Sequence, residues 1–215
     1  MGQSLLITRP EHDATTLYLS QWSKTIIEEA KRRGIRVIDL HRKKANRGRV
    51  IGILEKRSPK LAVLNGHGNE NSVGGHDNEI IIKERDIKAL ESKIIFARSC
   101  KSAKRLGPSA INHGAIAYLG YKEDFWFVYT EEKIFKPLED KTAKLFLEPS
   151  NYVPIALLKG HKAGQANSKS KMRFRKNIEK LIIEGPASDN YYAIRYLLWD
   201  MVHQVCLGDQ NAKLS

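Results

Sequence analysis

Short apolar runs alternating with amphipathic, helix-spaced segments organise the first half of the chain. Residues 4–8 (SLLIT), closed by Arg9-Pro10, read as a strand. From Asp13 to Arg33 the apolar positions Leu19, Trp22, Ile26, Ile27 and Ala30 recur at helical spacing, with Asp13 placed to cap the start and Gly34 to end the helix. A strand over Ile35–Leu40 follows, then a weak helix over roughly 46–57 and an aliphatic strand, Leu61–Leu64. After a glycine-rich stretch come an extended piece at Glu79–Ile82, a short helix at Asp86–Leu90 and a strand at Lys93–Ala97. A helix over 102–112, ended by His113-Gly114, leads to a last strand at Ala115–Leu119. Strands alternating with helices predict an α/β fold, a mostly parallel sheet with helices on both faces. The near-continuous apolar character of the strands agrees, because parallel strands are buried on both sides.

The last third is less regular. Lys141–Leu147 reads as helix, 161–181 as a polar loop leading into a basic helix, and Tyr191–Cys206 as a helix with Ile194, Leu197, Leu198, Met201 and Val205 on one face. Gly208–Ser215 reads as a loop-like tail. No internal repeat is present.

At 215 residues the chain is long enough to bury a sizeable core. Its apolar runs are far shorter than the roughly 20 residues a membrane helix needs. Met1-Gly2-Gln3-Ser4 lacks the charged-then-apolar order of a signal peptide, and Leu6 stands where a myristoylation signal wants Ser or Thr. Two cysteines are too few for a disulfide scaffold and point to a reducing, cytoplasmic setting, with a Cys100–Cys206 bridge as the alternative. A net charge of +13 and a pI near 9.7 would suit nucleic acid or an acidic substrate, yet the basic residues are scattered. The cluster from Lys169 to Lys180 with Phe174 carries no binding motif, so a solvated helix face explains it and nucleic acid is not an expected partner.

Candidate chemistry sits at two strand ends. His67 in "LNGHG" lies three residues past one predicted strand, and Cys100 in "ARSC" three past the next main one. Functional groups of open α/β sheets gather beyond the carboxyl ends of strands, and neighbouring strands lie about 4.8 Å apart. Adjacent strands would therefore bring a thiol and an imidazole into one cleft, as a cysteine–histidine nucleophilic pair requires. Singly, each residue is ordinary: a cysteine at a strand end is commonly a small buried apolar side chain, and a histidine in a Gly/Asn loop a turn residue. Lys101 and a helix starting at Ser102 are expected to lower the thiol pKa. Gly66 and Gly68 leave room for a peptide, and the amides of Gly68 and Cys100 are candidate oxyanion donors. A metal hydrolase built on His67, His76, Asp77 and Cys100 is the rival reading, but His67-x8-His76-Asp77 lacks the tight pair of zinc sites.

Strand-His-Gly followed by strand-small-Cys resembles the caspase-like cysteine peptidases, in particular the gingipain-type and CHAT-type branch. The resemblance continues through "LGPSAINHGAIAYLGY" (106–121) and "VCLGDQNAKL" (205–214). It implies one caspase-like domain over 1–215, a three-layer sandwich. It also implies His67 as general acid/base, Cys100 as nucleophile, Gly68 as oxyanion donor, no cofactor, a polypeptide substrate and, in some settings, a regulatory protein partner. A domain of this kind can also be catalytically idle and serve only in protein interaction. His76 and Asp77 are expected beside the cleft, contacting substrate or orienting His67. In the family the loop after the strand that follows the cysteine strand helps build the substrate pocket. Asp124 in "YKEDFWFVY" (121–129) is then a candidate for selecting a basic side chain, with a solvated turn acid as the plainer reading. Departures are the absence of Gln-Ala-Cys-x-Gly around the cysteine, Ser99 where alanine is usual, and Gln210 where the tail motif prefers proline.

Overall fold

Strand residues alternate between two helical layers, and that alternation builds the molecule. The computed structural model describes residues 3–214; Met1-Gly2, from the leader reading, and the tail's Ser215 lie outside them. The strands β1 (Ser4–Arg9), β2 (Arg36–His41), β3 (Leu61–Asn65), β7 (Ile94–Arg98), β8 (Ala117–Tyr121) and β9 (Gln204–Gly208) form a six-stranded sheet in the order β2-β1-β3-β7-β8-β9. All its pairings are parallel except β8 with β9. Leu5, Ile7, Leu61, Val63, Ile94 and Phe96 point to one face, where they meet α2 (Lys24–Arg32), α5 (Lys141–Leu158) and the start of α6 (Ala163–Glu184). Leu6, Ala62, Leu64, Ile95 and Ala97 point to the other, against α3 (Arg47–Lys56), the turns of 84–90 and α4 (Leu106–Asn112). The three-layer α/β expectation holds. A small antiparallel sheet, β4 (Gly68–Asn69), β5 (Ser72–Gly74) and β6 (Ile80–Lys83), fills the excursion between β3 and β7. Among the described residues no helix is long and apolar enough to cross a membrane.

Several elements differ from their sequence expectation, each for a physical reason. The helix read over 13–33 is two, α1 (Ala14–Trp22) and α2, jointed at Ser23. Ser23 Oγ donates back to Leu19 O at 2.7 Å, a bond that competes with helix continuation. The helix read over Lys141–Leu147 runs on to Leu158 through Pro149 and Pro154. Pro149 cannot donate to the Leu145 carbonyl, and Asn177 Nδ2 supplies that bond instead at 2.7 Å. The polar loop read before the basic helix is itself helical, since α6 begins at Ala163. Phe174 is fully buried there, part of the core and not a surface aromatic for stacking on bases. The last helix, α7 (Ile194–His203), stops short of Cys206, and the chain continues as β9. Val205 and Leu207 then pack on one face of the sheet and Cys206 on the other, a period of two that competes with the helical reading.

Candidate active site

Strand register brings the two sequence motifs together. β3 and β7 are adjacent and parallel, with Leu64 opposite Ala97 and Asn65 opposite Arg98. From that last matched pair, two more residues on each strand lead to His67 and Cys100.

A buried guanidinium ties these strand ends. Arg98 is wholly inaccessible, and burial, only partly offset by Tyr121, draws its pKa down to about 10. Its Nε and Nη2 donate to Asn65 Oδ1 at 3.1 and 2.9 Å, and its Nη1 to Asn151 Oδ1 on α5 at 2.6 Å. Nη2 also reaches Ser23 Oγ at 3.0 Å and Leu19 O at 3.2 Å, the two groups at the α1–α2 joint. Asn65 passes the linkage to β1, donating from Nδ2 to Thr8 O at 2.6 Å. Neither Arg98 nor Asn65 is given a role by the sequence, because each gains meaning only from partners far along the chain.

The loops beyond the strands touch. Ser99 Oγ donates to His67 O at 3.0 Å, so the residue before Cys100 holds the histidine's backbone. A Cβ on Gly68 would fall 1.9 Å from that Oγ and 2.8 Å from Ser72 O, which makes glycine necessary at this approach.

His67 is 43% exposed at its side chain, and its Nε2 lies 2.6 Å from Asp13 Oδ2. Asp13 is also the N-cap of α1, its Oδ1 accepting from Thr16 N at 2.7 Å. Burial would raise the Asp13 carboxyl, but the Thr16 N–H and His67 outweigh it and hold the pKa below the usual aspartate range. Ionised Asp13 can only accept, so Nε2 carries a proton, and in the neutral imidazole Nδ1 keeps the lone pair. The sequence identified Asp13 as a cap; its second role needed the fold.

Cys100 departs from expectation. Its thiol pKa is raised, by burial first and by the Asp124 carboxylate, with the Phe125 N–H pulling the other way. The helix expected at Ser102 begins only at Leu106, so Cys100 does not adjoin its first turn. Lys101 is spent on Asp124, Nζ to Oδ2 at 3.0 Å. Asp124 thus stands beside the Cys100 sulfur, half-exposed and paired. Asp200 of α7, fully buried, accepts from Trp126 N at 2.9 Å through Oδ1, while Oδ2 has no partner. Burial holds this carboxyl well above the ordinary aspartate range, against the single Trp126 bond.

His76 and Asp77 lie one histidine removed from His67. The His12 ring stands edge-on to both His67 and His76, at centroid distances of 6.0 and 5.4 Å. His76 Nδ1 accepts from Glu11 N at 3.2 Å, fastening the loop that carries His12 and Asp13, while Asp77 is exposed. The residue hydrogen-bonded to the His67 ring is Asp13. Cys100 and Cys206 are both free thiols; Cys206 is pushed up to about 11, chiefly by burial.

The fold is a mixed α/β sandwich of caspase-like architecture. Among solved structures, the chain is similar to the Arg-specific cysteine proteinase gingipain R, with a TM-score of 0.67 and 13% identity, covering 100% of this chain and 48% of that one. It is also similar to the complex of the Porphyromonas gingivalis RgpB pro- and mature domains, with a TM-score of 0.64, 13% identity and the same coverage. The chain thus spans about half the length of these neighbours. No family model and no curated protein sequence matches it.

Proposed function

We propose that the chain is a cysteine endopeptidase of the caspase-like type, in the manner of the gingipain-type and CHAT-type branch, acting on polypeptides without a cofactor. The observation that carries this reading is the β3–β7 register, with Asn65 beside Arg98 and a histidine and a cysteine each two residues further on. Cys100 attacks the peptide carbonyl carbon while its S–H proton passes to Nδ1 of His67, and Asp13 stabilises the imidazolium that forms. The oxyanion is received by backbone amides, Gly68 among the candidates. Collapse breaks the C–N bond, the amine leaves with the proton from His67, and a water activated by the same nitrogen releases the acyl group from sulfur. Because the resting thiol is kept protonated by burial and Asp124, the proton moves with the attack and not before it. Asp124 and Lys101 border the sulfur and are candidates for contacting the substrate side chain. A reducing compartment, as in the cytoplasm, suits two free thiols.

One observation favours a second reading. The raised thiol pKa is what a caspase-like domain idle in its resting state would show, awaiting a protein partner that draws Asp124 from the sulfur. An electrophilic peptide probe tests both. Rapid labelling and peptide turnover that vanish in Cys100→Ala, and fall by about 1000-fold or more in His67→Ala, are the expected outcome. Labelling that persists in Cys100→Ala would end the peptidase reading, and slow labelling accelerated by a partner would favour the idle one.

A further inference from the structure

The cluster beside the catalytic histidine holds more nitrogen than a hydrolytic triad uses. The geometry points to a seat for a divalent transition-metal ion, zinc foremost, formed by His12, Asp13 and His67 and blocking the general base when filled.

One ligand atom from each of these residues lies within 4.8 Å of the others. His12 Nε2 stands 3.6 Å from Asp13 Oδ2, and His67 Nε2 stands 2.6 Å from the same oxygen. Ligands about 2.0–2.1 Å from a tetrahedral zinc lie roughly 3.3 Å from one another, so small shifts in opposite senses seat the ion. Two imidazoles and one carboxylate suit zinc or its neighbours, whereas calcium and magnesium prefer oxygen alone. His12 supplies the third ligand. Its side chain is only 10% exposed, and the Nε2 edge of its ring faces the Asp13 carboxylate. The ring is held edge-on between those of His67 and His76, so Nε2 is presented from a fixed orientation. Asn78 Oδ1, 3.2 Å from His12 Nε2, adds a neutral oxygen at the rim.

The consequence for catalysis rests on the peptidase reading, though the binding does not. In the ion-free protein His67 carries its proton on Nε2 and offers the lone pair of Nδ1. A metal on Nε2 displaces that proton to Nδ1, and the ring then presents N–H where the thiol needs a base. Nothing is oxidised, and removing the ion restores the tautomer.

The test uses the full chain stripped with a chelator and titrated with Zn2+ by calorimetry and with Co2+ by visible absorption. One equivalent of Zn2+ and a tetrahedral cobalt spectrum are expected for wild type and, unchanged, for Cys100→Ala. Affinity falls by about 100-fold or more in His12→Gln, His12→Ala and His67→Ala, ligand loss costing at least what loss of an outer-shell partner does. Added Zn2+ raises Tm in wild type and in Cys100→Ala but not in His12→Gln, whose own Tm confirms folding. Absence of binding at micromolar metal, binding indifferent to His12, or loss in Cys100→Ala would each overturn the site. Because binding is read in Cys100→Ala, its outcome is separate from peptide turnover: a protein that binds zinc yet cleaves nothing keeps the metal seat and loses the peptidase reading.

Discussion

Asp13 serves two neighbours with one carboxylate, capping α1 through Oδ1 and holding His67 through Oδ2. The roles can be separated, because asparagine caps a helix as well as aspartate does but does not fix the same tautomer. Asp13→Asn is expected to unfold within a few tenths of a kcal/mol of wild type, while kcat falls by about 100-fold or more. Asp13→Ala should in addition lose about 1 kcal/mol of stability. Denaturant unfolding and initial rates check the split, and an Asn variant at near-wild-type rate would remove Asp13 from the mechanism. At this scale the position of His67 and Cys100 beyond two strand ends was legible because each follows an aliphatic run directly. The histidine's partner was not, since it sits 54 residues away in a loop where a capping aspartate needs no further explanation. The thiol pKa was misjudged for a related reason: burial, set by the fold, raises it first, and Asp124 neutralises the neighbouring Lys101 across space.

Arg98 makes β3, β7, the α1–α2 joint and α5 interdependent, through Asn65, Ser23, Leu19 and Asn151. Lysine at this position keeps a charge but loses the planar fork that reaches several acceptors at once. Arg98→Lys is expected to cost about 3 kcal/mol or more in urea unfolding, through buried carbonyl oxygens left without donors. A loss under about 1 kcal/mol would show that the linkage is incidental. The elements bordering this hub are also where sequence reading went astray. A continuous apolar stripe hid the joint at Ser23, and two prolines hid the second half of α5. Both departures depend on polar partners from other segments, and hydrophobic period carries no information about those. The central strands have no such dependence, and their limits were read to within about two residues.

Across the whole molecule, the alternation of apolar strands and helices was enough to foresee a parallel sheet between two helical layers. The antiparallel return of β9 was not, because five residues following a helix without a glycine or proline break give no signal of a change in period. Asp200 sits just before that return. A carboxyl raised on folding lends stability fully below its unfolded pKa, and loses it as pH climbs toward the raised folded value. Asp200→Asn keeps a carbonyl oxygen for the Trp126 N–H and removes the buried ionisation. Its Tm should therefore rise relative to wild type as pH goes from about 4 to 8, a window spanning the ordinary aspartate pKa and the region above it. Parallel Tm curves over that range would refute the assignment. The same carboxyl makes the chain a proton acceptor while it folds. Above the ordinary aspartate range, collapse of α7 onto the 121–129 loop draws a hydrogen ion from the medium, so weakly buffered refolding drifts alkaline and alkaline solution resists the final docking.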